Sequence, residues 1–234
     1  MLNSEIKLNY SEFPHKGLYL IFEDSSRLEL TEEKMNLLTD QFWDDETKLS
    51  SSIKEASDFQ KCVFCPVKNE PGICPAIRPV LPYLEILDKY SSFDDVIAVF
   101  RGDDDSILHL ANTTMQQGLK YVSINSLLHH CANNQKYFNY FFGINPIVKA
   151  KEIASRLYLN MYWVHRGNMD EVKKFIAQID KDLRITTRNQ LKRVQLIAKN
   201  DAFVNALYDT QMITEFLSLG MERTLEEAFV YSKD

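Results

Sequence analysis

Glycine is scarce in this chain. Only 7 of its 234 residues are glycine, less than half of the roughly 7% found in ordinary proteins. No G-x-G occurs anywhere, which excludes a dinucleotide fingerprint and a kinase-type glycine loop. The patterns G-x-x-x-x-G-K-[ST], G-x-S-x-G and H-E-x-x-H are missing too. With them go the P-loop, the nucleophile elbow and the helical zinc-protease site. No stretch approaches 18 consecutive apolar residues, so no membrane-crossing helix is expected. The first residues, Met1 to Lys7, lack the basic-then-apolar pattern of a secretory leader. A cytoplasmic protein is the expectation. In that compartment thiols stay reduced, and the 4 cysteines read as ligands, reactive thiols or core residues rather than disulfides.

What is present suits a globular fold. With 45% hydrophobic and 26% charged residues, the chain can bury a sizeable core and is not a candidate for disorder. Its 27 Lys and Arg against 33 Asp and Glu leave a net charge of −6. That balance disfavours a generic binder of nucleic acid or anionic membranes. A homo-oligomer or a redox partner is the interaction left to expect.

The patterning predicts an α+β fold, with small antiparallel β hairpins in the N-terminal part and a predominantly helical C-terminal half. Ile6, Leu8 and Tyr10 alternate with polar residues as in a half-buried strand. Leu18 to Phe22 and Leu28 to Leu30 flank the polar turn Asp24 to Arg27, and Val96 to Phe100 and Ser106 to Leu110 flank Gly102 to Asp105. Both pairs predict hairpins. Thr31 is placed to cap a helix carrying Met35, Leu38 and Phe42, whereas the polar, Ser-rich 44–60 reads as loop. Helices are further expected over 79–90, 112–131, 147–166 (capped by Asn145-Pro146), from Asn168 onward, and over 186–199, 201–219 and 221–231. The division expected is a mixed strand and loop part, 1–111, holding the cysteine segment 62–75, and a helical part, 112–234, folding as one cooperative unit.

The segment Cys62-Val-Phe-Cys65-Pro-Val-Lys-Asn-Glu-Pro-Gly-Ile-Cys74-Pro carries the clearest chemical signal. In C-x₂-C, two intervening residues make a tight turn that sets both sulfurs on one side. Pro71-Gly72 has the type II turn pattern and folds the loop back, bringing Cys74 toward the pair. Cys131 falls on the stripe Ile124, Leu127, Leu128, Cys131, which points inward. It therefore reads either as a fourth ligand or as a core filler, and the adjacent His129 or His130 is the alternative ligand.

Three cysteines within 13 residues of a turn-rich loop point to a metal or cluster centre of Cys62, Cys65, Cys74 and Cys131. Structural zinc usually shows a second C-x₂-C pair, which is absent. Irregular spacing and proline directly after two ligands are closer to iron–sulfur ligation, with zinc as the alternative. A thioredoxin-like pair would open a helix, but Pro66 and a turn follow here. Thiolate-ligated haem and a Cys62–Cys65 redox disulfide are weaker readings.

Cys65-Pro66, Cys74-Pro75-Ala76, the helix and hairpin after them, Thr113-Thr-Met-Gln-Gln-Gly118-Leu and Cys131 together resemble an uncharacterised bacterial domain family. Its members carry a Cys-Pro-x-Cys-Pro segment, a third Cys-Pro and a later cysteine after a glutamine–glycine helix. The likeness covers roughly residues 1–180. Val63 stands where the family's first proline would be, and His129-His130 replace small residues. The resemblance implies that the four cysteines act as one unit, and it implies no activity.

Other candidates weigh less. Asp103 to Asp105 lack the spacing of a calcium loop and read as a turn. Arg188, Lys192 and Lys199 fall near one helix face, with Arg184 and Arg193 close by and Asn189 and Gln195 available to read bases. A structural zinc site in a protein-interaction or nucleic-acid-binding module using this basic helix 186–199 is the alternative function. The leading expectation is an iron–sulfur centre for redox or sensing. The aromatic concentration at Tyr137 to Phe142 and Tyr158 to His165 reads as core or interface. No nucleophile–base–orienter set stands out, and no enzyme class is assigned.

Overall fold

The computed structural model describes residues 9–44, 49–59, 61–70, 72–102 and 108–219. The fold is α+β, as the patterning implied. Strands β1 (Gly17–Ile21), β2 (Arg27–Thr31), β3 (Asp95–Arg101) and β4 (Leu108–Thr114) form one antiparallel sheet in the order β2-β1-β3-β4. Both predicted hairpins are present. β1 pairs with β3 through Leu20↔Ala98 and Leu18↔Phe100, so two distant hairpins join into a single sheet.

Alternation along the strands serves two layers. Leu18, Leu20, Leu30, Val96 and Ala98 belong to the main core, which runs into the helices. Tyr19, Ile21, Ile97 and Val99 face the other way and are covered by Phe13, whose ring meets Tyr19 edge-on at 5.1 Å. That second layer explains why the β1 strand is buried on both faces.

The helices follow local signals in part. Thr31 caps α1 (Glu32–Trp43) by accepting from the Lys34 amide. Met35, Thr39 and Trp43 are buried on it, and the expected Leu38 and Phe42 pack half-buried against the same core. The supposed loop 44–60 contains α2 (Ser51–Asp58), capped by the Ser50 hydroxyl. Only Ile53 and Ala56 give it an apolar face, too short a signal to register in a Ser-rich stretch. The helix expected over 79–90 is shorter, α3 (Leu81–Ile86), with turns through 75–80 where Pro79 and Pro82 lie. Tyr10 sits in a 3₁₀ turn, Tyr10–Glu12, not a strand; Ile6 and Leu8 lie outside the described residues.

The expected helix 112–131 starts later and ends differently. Strand β4 continues through Thr114, paired with Asp95. Then α4 (Met115–Asn125) widens into a π-helical turn, Ser126–His130, directly before Cys131. A 3₁₀ stretch, Gln135–Phe141, follows. α5 (Ala150–Val164) is capped at Lys149, not Asn145, whose side chain instead accepts from the Ile147 amide. Asn168 caps α6 (Met169–Gln195) as expected, but α6 runs 27 residues without a break, so 186–199 is not a separate helix. Nothing between 169 and 195 interrupts it, since neither glycine nor proline occurs there. α7 (Ala202–Ser218) matches its expected span. The Asp103–Asp105 turn and the helix over 221–231 lie outside the described residues.

α4 crosses the sheet closely. A Cβ on Gly118 would come within 2.7 Å of the Leu20 Cδ2 atom, so glycine permits this approach. Among the described residues, no helix is long and apolar enough to cross a membrane.

Candidate functional site

The cysteine segment is a chain of turns between α2 and α3. The Cys65 amide donates to the Cys62 carbonyl at 2.9 Å, closing the C-x₂-C turn. Val63, at its tip, is 83% exposed, whereas Cys62 is buried and Cys65 half-buried. Further turns follow, with Lys68 N–H donating to Cys65 O at 3.1 Å and Ile77 N–H to Cys74 O at 3.1 Å. Lys61 clamps the loop from within, its Nζ donating to Val67 O at 2.9 Å and Glu70 O at 2.8 Å. Gly72 has φ +94, the left-handed conformation its expected type II turn requires. Pro71 lies outside the described residues.

Helix α6 organises the site. Asn189 Nδ2 donates to Cys62 Sγ at 3.1 Å. One turn on, Arg193 is fully buried, donates to Phe59 O at 3.3 Å and lies 5.3 Å from the centre of the Phe59 ring. One turn back, Thr186 Oγ1 accepts from Asn134 Nδ2 at 2.9 Å. Asn134 is itself fully buried, and its amide donates to Cys131 O at 2.9 Å. Cys62 and the Cys131 turn therefore hang from neighbouring turns of one helix, about 4.5 Å apart along its axis. A second link joins Cys74 to the same region. Ser126, in the π-helical turn, donates to the Ala76 carbonyl, and Cys74 and Cys131 share one core cluster.

The electrostatics agree with this convergence. Burial pushes the Cys62 thiol up, against the Asn189 hydrogen bond and the Arg193 charge, while the Cys74 and Cys65 thiols add to the rise. Burial likewise pushes Cys131 up to about 11; the Asn133 and Asn134 amides oppose it, and Cys74 and Cys62 reinforce it. Cys62, Cys74 and Cys131 are buried, Cys65 is half-buried, and all are free thiols. Among the described residues, no three or more Cys, His, Asp or Glu side chains are set close enough to hold a metal ion as they stand. His129 turns away into ring packing, edge-on to Phe138 at 4.2 Å, and both His129 and His130 are held down by burial.

Asn189, expected to read bases, and Arg193, expected beside the basic stripe, belong here instead. Asn189 bonds a sulfur and Arg193 is interior. Lys199 lies beyond α6 and pairs with Asp88 at 2.8 Å, and Arg184 pairs with Asp180 at 3.0 Å. Arg188 and Lys192 are left facing solvent. The missed residues did leave a trace: Thr186, Asn189, Gln190 and Arg193 recur at helical spacing, a polar seam on a face that also carries Leu183 and Val194. Gln190 is 3% exposed, and neither atom of its amide finds a partner among the described residues; the same holds for the Thr187 hydroxyl.

Fold and site together define an α+β protein with free thiols on a turn-rich loop and on the turn after α4, three of them buried. No family model, curated protein or solved structure matches the chain.

Proposed function

We propose that Cys62, Cys65, Cys74 and Cys131 bind one metal centre, an iron–sulfur cluster serving electron transfer or redox sensing. The observation that carries this reading is the double attachment to α6, through Asn189 to Cys62 and through Thr186 and Asn134 to the Cys131 turn. Cys62 and the Cys131 turn, far apart in the chain, are tied to one helix by polar bonds that ordinary core packing does not need.

What favours a cluster over a single zinc is the pattern along the chain: there is no second C-x₂-C pair, the spacing is irregular, and Pro66 and Pro75 follow two of the cysteines directly. Hydrogen bonds to ligand sulfur tune a cluster's potential, and here the Asn189 amide reaches Cys62 while backbone amides reach Cys131. Gln190 is a further buried polar group of the kind that calls for an ion or water nearby. The raised thiols mean that binding must expel protons, so uptake of metal strengthens as pH rises.

Purification without oxygen tests the reading. The expected product is brown, with broad visible absorption and equal amounts of iron and acid-labile sulfide. A colourless protein with one zinc per chain would replace the cluster by a structural site. Metal-free protein with four titratable thiols would overturn both.

A further inference from the structure

A second site lies on the other side of α4. Met115, Leu119 and Val122 of that helix face the core shared with Cys74 and Cys131. Tyr121, on its opposite face, lines a cleft, and Ile124 and Asn125 line a recess beside it. The cleft has a volume of about 770 Å³ and continues into a smaller apolar recess of about 130 Å³. The larger value falls within the range of small-molecule sites, roughly 300–1,000 Å³.

Its walls are aromatic and come from separate elements. Phe100 is on β3, Tyr121 on α4, Phe138 and Phe141 on the 3₁₀ stretch, and Phe142 on the loop after it. Phe100 and Tyr121 are tilted toward each other with centroids 6.3 Å apart. Phe138 and Phe142 remain 44% and 48% exposed, although rings of this size gain most from burial. The wall that carries them is nevertheless held firmly. Asn160, 4% exposed on α5, donates to Tyr140 O at 2.8 Å and Phe142 O at 2.9 Å. Exposed rings on a braced backbone amount to a preformed surface, and preorganisation lowers the cost of binding.

Polar side chains edge the rings: Lys16, Arg101, His109, Asn139 and Asn145 line the cleft, and Arg101 also donates to Phe13 O at 2.7 Å. In the recess, Asn125 bonds the Tyr121 hydroxyl, and the His129 ring lies beside it. Ring faces for stacking, with amide and imidazole groups at the edge, suit a flat molecule whose own edge carries nitrogen or oxygen.

We propose that this cleft binds a planar heteroaromatic small molecule, stacked among Phe100, Tyr121, Phe138 and Phe142. The proposal is independent of the thiol centre, since none of the four cysteines lines the cleft.

Riboflavin is a suitable probe, because its fluorescence is quenched on stacking against aromatic rings. Titration into the full chain should give quenching that saturates at one equivalent. Phe138→Ala and Phe142→Ala should each weaken it about fivefold or more. Both side chains are half-exposed, so both variants should fold, which far-UV circular dichroism verifies. Trp163→Ala, a 78% exposed ring on α5 outside the cleft, should leave binding unchanged. Absence of saturable quenching overturns the proposal. So does quenching lost in Trp163→Ala but kept in the two phenylalanine variants. Full displacement of riboflavin by decanoate would show an aliphatic site instead and overturn the planar assignment.

Discussion

Cys131→Ser separates a ligand from a core filler, because the two roles differ in size of effect. Cys131 is 8% exposed, and its carbonyl accepts from the amides of Asn134 and Gln135 at 2.9 and 3.1 Å. Those backbone bonds survive any side-chain change. A serine hydroxyl can also accept from the Asn133 and Asn134 amides that bear on the sulfur. What the substitution removes in metal-free protein is a little volume and some apolar character, about 1 kcal/mol. A lost ligand costs more. A metal bound only by the folded state stabilises it by about 4 kcal/mol when present at a thousand times its dissociation constant, and binding energy at such a centre is folding energy. Urea unfolding should therefore show a small gap between wild type and Cys131→Ser after chelation. The gap should be about 4 kcal/mol wider in metal-loaded protein, with metal content reduced in the variant. Equal metal content and equal gaps in the two conditions would refute the ligand role.

Two further predictions concern the frame around the sites. Lys120 is fully buried, its Nζ donating to Gln117 Oε1 at 2.7 Å and Val148 O at 2.6 Å. Burial lowers its ammonium from an ordinary 10.5 to about 8, with Asp209 and Glu152 pulling the other way. Between those values the unfolded chain holds more protons than the folded one, so stability rises with pH. The Lys120 contribution is complete above about 10.5 and lost as pH falls through about 8, a swing of about 3 kcal/mol. The thiols of Cys62 and Cys131, raised by burial, act in the opposite direction on the alkaline side. Wild type minus Lys120→Met cancels that contribution, and the difference should climb from pH 7.5 to 10.5; parallel profiles would contradict it. Gly118→Ala would place its Cβ 2.7 Å from Leu20 Cδ2 and 3.1 Å from Cδ1, against a side chain with no exposure. Overpacking costs about 1–3 kcal/mol and outweighs the roughly 1 kcal/mol that alanine adds to a helix. A lower melting temperature is expected, and an unchanged or higher one would show that Leu20 repacks freely.

The features legible in the residues were those set by near neighbours. The β1–β2 hairpin follows from two apolar runs about a polar turn, and the α1 and α6 caps follow from Thr31 and Asn168. α2 was hidden because its two apolar residues gain helical stability only on packing. α4 begins at 115 rather than 112 because pairing of Thr114 with Asp95 holds β4 extended three residues longer. In each case a distant partner outweighed a local preference.

By itself the sequence determined the class of fold, the spacing of Cys62, Cys65 and Cys74, and the helical period of α6; Cys131 is buried as expected, but beyond the π-helical turn and not on a helix. Residues a few positions apart settle such features through turn geometry and helical period. Tertiary structure alone decided what α6 is for. The basic helix divides, with Arg188 and Lys192 of its stripe turned to solvent, while Asn189 beside them is bonded to a sulfur and Arg193 is sealed in the interior. Charge and amide character are properties of a residue, but whether they meet water, a base or a thiol depends on the neighbour that folding brings, here from 127 residues away.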